Sequence, residues 1–155
     1  MFTSTIARGL AAGAAGVTAL NAITYADMAL RARPSSDTPQ QAVAALADKA
    51  GVTIPGAGPE RENRLAGLGP LSGIATGGGV GAVAALLRPL LRRLPAPLAM
   101  VVLGAAAMLA SDGPLVALGL AQPRDWSAVD WLSDIVPHLG YGAVTYAVLD
   151  DLQGW

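Results

Sequence analysis

Residues 65–87 read LAGLGPLSGIATGGGVGAVAALL and contain no Asp, Glu, Lys or Arg. A helix of about 20 mostly apolar residues is long enough to cross the roughly 30 Å hydrocarbon core of a bilayer. This stretch therefore predicts a membrane-spanning helix. Charged side chains are also missing from three other windows, at residues 9–26, 94–111 and 135–149.

The composition of the whole chain agrees with this pattern. Of its 155 residues, 53% are hydrophobic and only 14% are charged, whereas soluble domains average about 25% charged residues. We therefore predict an all-α, polytopic membrane protein of the bacterial plasma membrane, with a four-helix transmembrane bundle formed by a single membrane domain over residues 1–155. The spans are placed at about residues 5–30, 64–88, 97–120 and 132–152.

A polar segment at residues 34–64 separates the first two spans. Thr38, Pro39 and Gln41 form a typical helix start, with Thr38 as the N-cap and Pro39 at the first helical position, and Gly51 marks the stop. The pattern predicts a short amphipathic loop helix at about residues 39–49. We expect it to rest on the bilayer or on the bundle.

Charge and residue usage exclude several classes of function. The net charge is -1, so the chain lacks the basic excess that nucleic-acid binding requires. It contains no cysteine and one histidine, which excludes a thiolate zinc site and a multi-histidine metal site within one chain. We predict no metal, no cofactor and no enzymatic activity.

Glycines recur at a spacing of four in the second span, and residues four apart share one face of a helix. Small residues on one face let another helix backbone approach closely, which favours helix association in lipid. We expect the first two spans to pack through such residues, with a partner from the same chain or from another subunit. The glycines assigned to helix packing are Gly69, Gly73, Gly77 and Gly81 in the second span and Gly9 and Gly13 in the first.

Polar residues in the last span share one stripe of the helix, at Asp134, His138, Tyr141 and Thr145. An aspartate four residues before a histidine can accept its ring N–H, and Tyr141 can extend the hydrogen-bonded line. The stripe indicates a proton relay, a cofactor contact or a polar-substrate site. The alternative is structural, with His138 satisfying backbone groups near Pro137.

Three further polar residues lie within or near the predicted spans. Asp112 precedes Gly113 and Pro114 in the third span, a sequence typical of a helix stop. It indicates either a discontinuous helix with an ion or proton site, or a short span followed by an interfacial helix. Asn21 and Asp27 in the first span are expected to form hydrogen bonds between helices, with Asp27 also placed to pair with Arg31.

This layout, with its His-x-x-Tyr-Gly motif at residues 138–142, resembles small four-helix bacterial inner-membrane proteins of unknown function. The resemblance implies an architecture and no activity. Our leading hypothesis is an accessory or scaffolding subunit whose partners are the lipid bilayer and other membrane subunits or further copies of the chain. The alternative is a small proton-linked transporter or channel subunit using Asp112 and the stripe from Asp134 to Tyr141. A third hypothesis is an enzyme or a cofactor-binding protein with His138 as the ligand.

Overall fold

A computed structural model describes residues 2–153 and is 82% helical, with six helices and no strand in that range. The all-α prediction is confirmed. The helices are α1 (Phe2–Arg31), α2 (Thr38–Lys49), α3 (Pro59–Leu86), α4 (Arg88–Leu91), α5 (Ala96–Ala117) and α6 (Ala128–Gln153), with one turn of 3-10 helix at Pro123–Asp125 before α6.

Three helices within residues 2–153 are long and apolar enough to cross a membrane. They lie in α1, α3 and α5, at Thr3–Arg31, Pro59–Leu86 and Ala96–Ala117. The predicted fourth span falls in α6, which is not one of them because its aspartates and its histidine lower the mean hydropathy. The structure thus supports a membrane protein with three spanning helices, and the fourth crossing stays a prediction.

The four long helices pack side by side with α1 at the centre. Helix α1 lies against α3 on one side and α6 on the other, and α5 packs on α6. Each of these pairs is antiparallel, because the start of one helix lies beside the end of its neighbour. Gly9 lies near Gly81 and Gly13 near Gly77, while Arg31 at the end of α1 contacts Ser133 near the start of α6.

Burial is inverted relative to a water-soluble bundle. The largest fully buried side chains are those of Tyr141 and Thr145. Large apolar side chains instead point outward, and Leu71 and Leu109 are 59% and 73% exposed. An outer surface so rich in leucine and valine is unfavourable in water but suits contact with lipid.

Helix α2 begins one residue earlier than predicted and packs against α3. Its N-cap is Asp37, and the Ser36 hydroxyl accepts a hydrogen bond from the backbone N–H of Thr38 at 3.2 Å. The assignment of Thr38 as N-cap was therefore wrong, because the backbone carbonyl of Asp37 accepts the first intrahelical hydrogen bond, from the N–H of Gln41 at 3.1 Å. At the other end, Gly51 adopts a φ of +67°, which ends the helix.

Helix α5 corrects the prediction for residues 111–114, because it continues without interruption through Pro114 to Ala117. Both predicted alternatives, a broken helix and a span that stops at Ser111, were wrong. Pro114 lies in the last turn, where its missing N–H costs a single hydrogen bond. The helix ends where Gly119 adopts a φ of +72°, short of the predicted limit at residue 120.

Candidate functional site

Helices α5 and α6 approach each other through two glycines. A Cβ built on Gly104 would lie 2.6 Å from the carbonyl oxygen of His138, and one built on Gly142 would lie 2.6 Å from the backbone nitrogen of Gly104. Real side chains never come so close to backbone atoms, so only glycine allows this spacing. The close approach brings Ser111 and Asp112 of α5 to the face of α6 that carries His138.

His138 is 8% exposed and links the two helices. Its Nδ1 lies 2.8 Å from the backbone carbonyl oxygen of Asp134 and 3.2 Å from the Asp134 Oδ1. Both of these atoms are acceptors, so Nδ1 carries the proton and donates it. On the other side of the ring, Nε2 lies 3.3 Å from the Ser111 hydroxyl oxygen.

The Ser111 hydroxyl allows His138 to be neutral or charged. With a neutral ring, the hydroxyl donates to Nε2. With a protonated ring, Nε2 donates to the hydroxyl oxygen, whose proton then turns to the backbone carbonyl of Met108 at 3.0 Å or to the Asp112 Oδ1 at 3.2 Å. A hydroxyl that can reverse its direction in this way connects the histidine to a carboxyl group on the other helix.

The carboxyl groups of Asp112 and Asp134 lie close to each other across the interface between α5 and α6. The Asp134 Oδ2 is buried and has no hydrogen-bond partner among the residues the structure describes. Two adjacent carboxylates repel each other, and neither can donate a hydrogen bond until one is protonated. A proton held between the two groups would remove the repulsion and satisfy the buried oxygen. We call Ser111, Asp112, Asp134 and His138 the α5–α6 cluster.

The predicted stripe on α6 divides into two groups. Asp134 and His138 belong to the α5–α6 cluster, whereas Tyr141 and Thr145 face α1 and α3. The Tyr141 hydroxyl, which is fully buried, donates a hydrogen bond of 2.6 Å to the backbone carbonyl of Gly77. This bond ties α6 to α3, and the structure gives Tyr141 a role in holding helices together.

Asp27 lies outside the cluster and organises the end of α1. Its carboxylate accepts hydrogen bonds of 2.6 and 2.7 Å from Arg31 and one of 2.6 Å from Arg33. Arg31 also donates to the Ser133 hydroxyl on α6 at 2.6 Å. Asp27 thus positions an arginine that joins α1 to α6. Asn21 is half-buried on α1.

The glycines assigned to packing fall into three settings. Gly77 and Gly81 lie against Gly13 and Gly9, and a Cβ on Gly81 would stand 2.6 Å from the Cα of Gly13. Gly69 faces the start of α2, with a built Cβ 3.0 Å from the Gln40 nitrogen. Gly73 has open space around it, with no atom within 4 Å of a built Cβ. The close contacts are therefore internal to the chain.

Sequence reasoning missed Ser111, Gly104 and Gly142 as parts of this site. Ser111 could have been found, because a hydroxyl next to Asp112 in a predicted span is a natural hydrogen-bond partner for another helix. Gly104 gave no signal, since a single glycine in an apolar run has no periodicity. Its role depends on which residue of α6 lies opposite.

Among residues 2–153, no group of three or more His, Asp or Glu side chains could hold a metal ion. A comparison with protein-family models, characterised proteins and solved structures finds no match to this chain. The α5–α6 cluster and the helices that carry it are therefore the features from which a function can be inferred.

Proposed function

We propose that the four long helices cross a membrane and that the α5–α6 cluster binds and releases protons. In this proposal the protein is a small proton-linked transporter or channel subunit. The observation that carries it is that Asp112, Asp134 and His138 meet at one interface between two long helices, where no residue in 2–153 donates a hydrogen bond to the buried Asp134 Oδ2.

A crossing by α6 is supported by its length and by the position of its charges. It has 26 residues, which span about 39 Å, more than a hydrocarbon core needs. Asp130 lies at its start, while Asp150 and Asp151 lie at its end. Asp134 is the one charged residue between these ends, and its side chain, which is 23% exposed, interacts with Asp112 of α5. The fold thus covers most of the polar surface of the residues that lower the mean hydropathy of α6.

The position of the cluster well inside the helix ends supports a functional role for its residues. Asp112 lies five residues before the end of α5, which places it about 8 Å inside the helix terminus. Ionisable groups at such a depth are costly in a bilayer, and proteins usually keep them for ion or proton pathways. A structural role for His138 needs one hydrogen-bond partner and does not require two carboxyl groups beside it.

The chemistry of the cluster is a proton exchange along a short hydrogen-bonded chain. A proton on Asp112 passes to the Ser111 oxygen as the hydroxyl proton moves to the His138 Nε2. The imidazolium then formed is stabilised by Asp134 at its Nδ1. Each group returns to its first state when the imidazolium releases a proton, Asp112 takes up a new one and the hydroxyl turns back, so the cluster can cycle.

Infrared spectroscopy of the purified protein in lipid tests for the shared proton. At about pH 5.5 we expect the carbonyl stretch of a protonated carboxylic acid from the α5–α6 cluster. The band can be assigned to the cluster because exposed aspartates and glutamates are still mostly ionised at this pH. Asp112→Asn and Asp134→Asn should each abolish the band, since the new amide donates to the remaining carboxylate. Asp151→Asn at the exposed end of α6 makes the same chemical change and should leave the band intact.

Flux measurements in liposomes test the function itself. An imposed pH gradient should drive a flux through the unmutated protein, and Asp112→Asn or His138→Ala should abolish it while the helical content stays the same. Asp151→Asn should keep the flux. The proposal fails if the unmutated protein carries no flux under any gradient, or if the carboxylic acid band survives in both asparagine variants.

A scaffolding role is the second candidate, and the setting of Gly73 favours it. Gly73 is open, and the neighbouring side chains of Leu71 and Ile74 are 59% and 46% exposed. A second copy or another membrane subunit could approach α3 closely at this point. The two roles are compatible, because the Gly73 face and the α5–α6 cluster lie on different helices.

A further inference from the structure

Exposure falls steadily along the face of α6 that carries the α5–α6 cluster. Residues three or four apart in a helix share one face, and the polar members of this face are Asp130, Asp134, His138, Tyr141 and Thr145. Asp130 in the first turn is exposed. The Asp134 side chain is 23% exposed, His138 is 8% exposed, and the two residues beyond it are fully buried. The face is therefore open where α6 begins and closed beyond the cluster.

The opposing helix α5 shows the same change in exposure. Leu103, Gly104 and Ala107 in the middle of the helix are buried. Ser111 and Asp112 are half-buried, and between Ala107 and the end of α5 the structure describes no buried residue. The interface between the two helices thus becomes more open toward the end where α5 stops and α6 starts.

Close backbone contacts seal the interface on the other side of the cluster. A Cβ on Gly142 would lie 2.6 Å from the Gly104 nitrogen, so α5 and α6 leave no gap there. On the α1 side, a Cβ on Gly16 would lie 2.7 Å from the Tyr141 ring and would also overlap the Thr145 hydroxyl. Gaps too narrow for one carbon atom cannot hold a file of water molecules.

The axial position of the cluster gives the same asymmetry. Asp112 lies about 8 Å from the end of α5 but about 24 Å from its start. Asp134 lies about 9 Å from the start of α6. The open route to water is therefore short, and the sealed route crosses most of the bundle.

Arg31 of α1 borders the open route. Arg31 and Arg33 donate hydrogen bonds to Asp27, and Arg31 also donates to the Ser133 hydroxyl on α6. These bonds occupy the space between the end of α1 and the start of α6. Water must therefore reach the cluster from the α5 side of α6, where the exposed Asp130 lies one turn before the cluster.

We propose, on the basis of the proposed membrane crossing and proton exchange, that the α5–α6 cluster in this conformation exchanges protons with one side of the membrane only. That side is the one where α5 ends and α6 begins, and the loop there contains Arg124. The loop before α5, which contains Arg93, lies on the other side. Exchange with the Arg93 side needs a second conformation, in which α5 and α6 part at Gly104 and Gly142.

Cysteine accessibility in sealed vesicles of uniform orientation tests this asymmetry. Ser111→Cys replaces one oxygen of the cluster by sulfur, in a chain with no cysteine of its own. A small membrane-impermeant methanethiosulfonate reacts with the thiolate, which forms in water and is disfavoured in lipid or a packed core. Ser111→Cys should be labelled from the side on which Arg124→Cys reacts. Labelling should be absent from the side on which Arg93→Cys reacts.

Two control positions on α5 separate access to water from exposure in general. Ala107 lies one turn deeper than Ser111 on the same face and is 5% exposed, so Ala107→Cys should stay unlabelled from both sides. Leu109 is 73% exposed on the outer surface, which faces lipid in the proposed arrangement. Leu109→Cys should therefore also stay unlabelled, although its side chain is far more exposed than that of Ser111.

Asp134→Cys repeats the measurement from α6, at a side chain that is 23% exposed. Labelling of either cluster position from the Arg93 side, or of neither position from any side, would overturn the proposal. Failure of the membrane crossing gives a different result, because Arg93→Cys and Arg124→Cys would then react from the same side. If these two react from opposite sides, a wrong pattern at the cluster contradicts the one-sided exchange alone.

Discussion

Gly81→Ala is expected to destabilise the protein by about 1–3 kcal/mol, although it adds only one methyl group and improves helix propensity. The new Cβ would stand 2.6 Å from both the Cα and the nitrogen of Gly13. These are backbone atoms, which cannot rotate away, so α1 must move from α3. Reversible unfolding in mixed micelles, followed by circular dichroism, measures the change in free energy of unfolding.

Gly73→Ala is the matched control on the same helix. Its built Cβ meets no atom within 4 Å, so alanine should leave stability unchanged or raise it by up to about 1 kcal/mol. Equal effects of the two variants would contradict the close α1–α3 contact. Gly73→Leu adds a test of assembly, because a smaller particle in mild detergent would favour the scaffolding role.

Gly142→Ala is expected to destabilise α5–α6 packing to a similar extent and to dismantle the α5–α6 cluster. A Cβ on Gly142 would lie 2.6 Å from the Gly104 nitrogen and closer still to the Met100 carbonyl oxygen. The two helices must separate, which draws Asp112 away from Asp134. The free energy of unfolding should fall by about 1–3 kcal/mol, and the carboxylic acid band should disappear.

Gly113→Ala controls for a methyl group beside the cluster. Gly113 is next to Asp112, and its built Cβ meets Leu109 at 3.9 Å, an ordinary contact. This variant should keep both the stability and the band. If Gly142→Ala retains the band at full intensity, the shared proton does not depend on close approach of the two helices.

Local patterns were enough to predict much of the helical structure. The apolar windows predicted long helices, because residues without charge over many turns suit lipid or a buried core. The same local rules failed at Gly113 and Gly119. Gly113 lies between Asp112 and Pro114 and Gly119 follows an apolar run, and only the folded backbone shows that Gly119 adopts the left-handed conformation that ends α5.

The sequence alone could not predict which helix faces pack against each other. The spacing of Gly69, Gly73, Gly77 and Gly81 marks one helix face, but two of them meet α1, one meets α2 and one is open. Which glycine meets which neighbour depends on the tilt and the axial shift of whole helices. The α5–α6 cluster could not be predicted for the same reason, since Asp112 and His138 meet only because Gly104 and Gly142 let the two helices approach closely.

The crossing of α6 is the central claim, and cysteine labelling in sealed membrane vesicles of uniform orientation tests it most directly. The chain has no cysteine of its own, so each introduced thiol gives an unambiguous signal. Suitable exposed positions are Ser35→Cys, Arg93→Cys, Arg124→Cys and Asp151→Cys. A membrane-impermeant maleimide then reports which side of the membrane each one faces.

With four crossings, Ser35→Cys and Arg124→Cys should react from one side and Arg93→Cys and Asp151→Cys from the other. Arg124 precedes α6 and Asp151 lies in its last turn, so these two positions decide the outcome. Labelling of both from the same side would contradict the account, because α6 would then lie along the surface and the α5–α6 cluster could not be enclosed between two spanning helices.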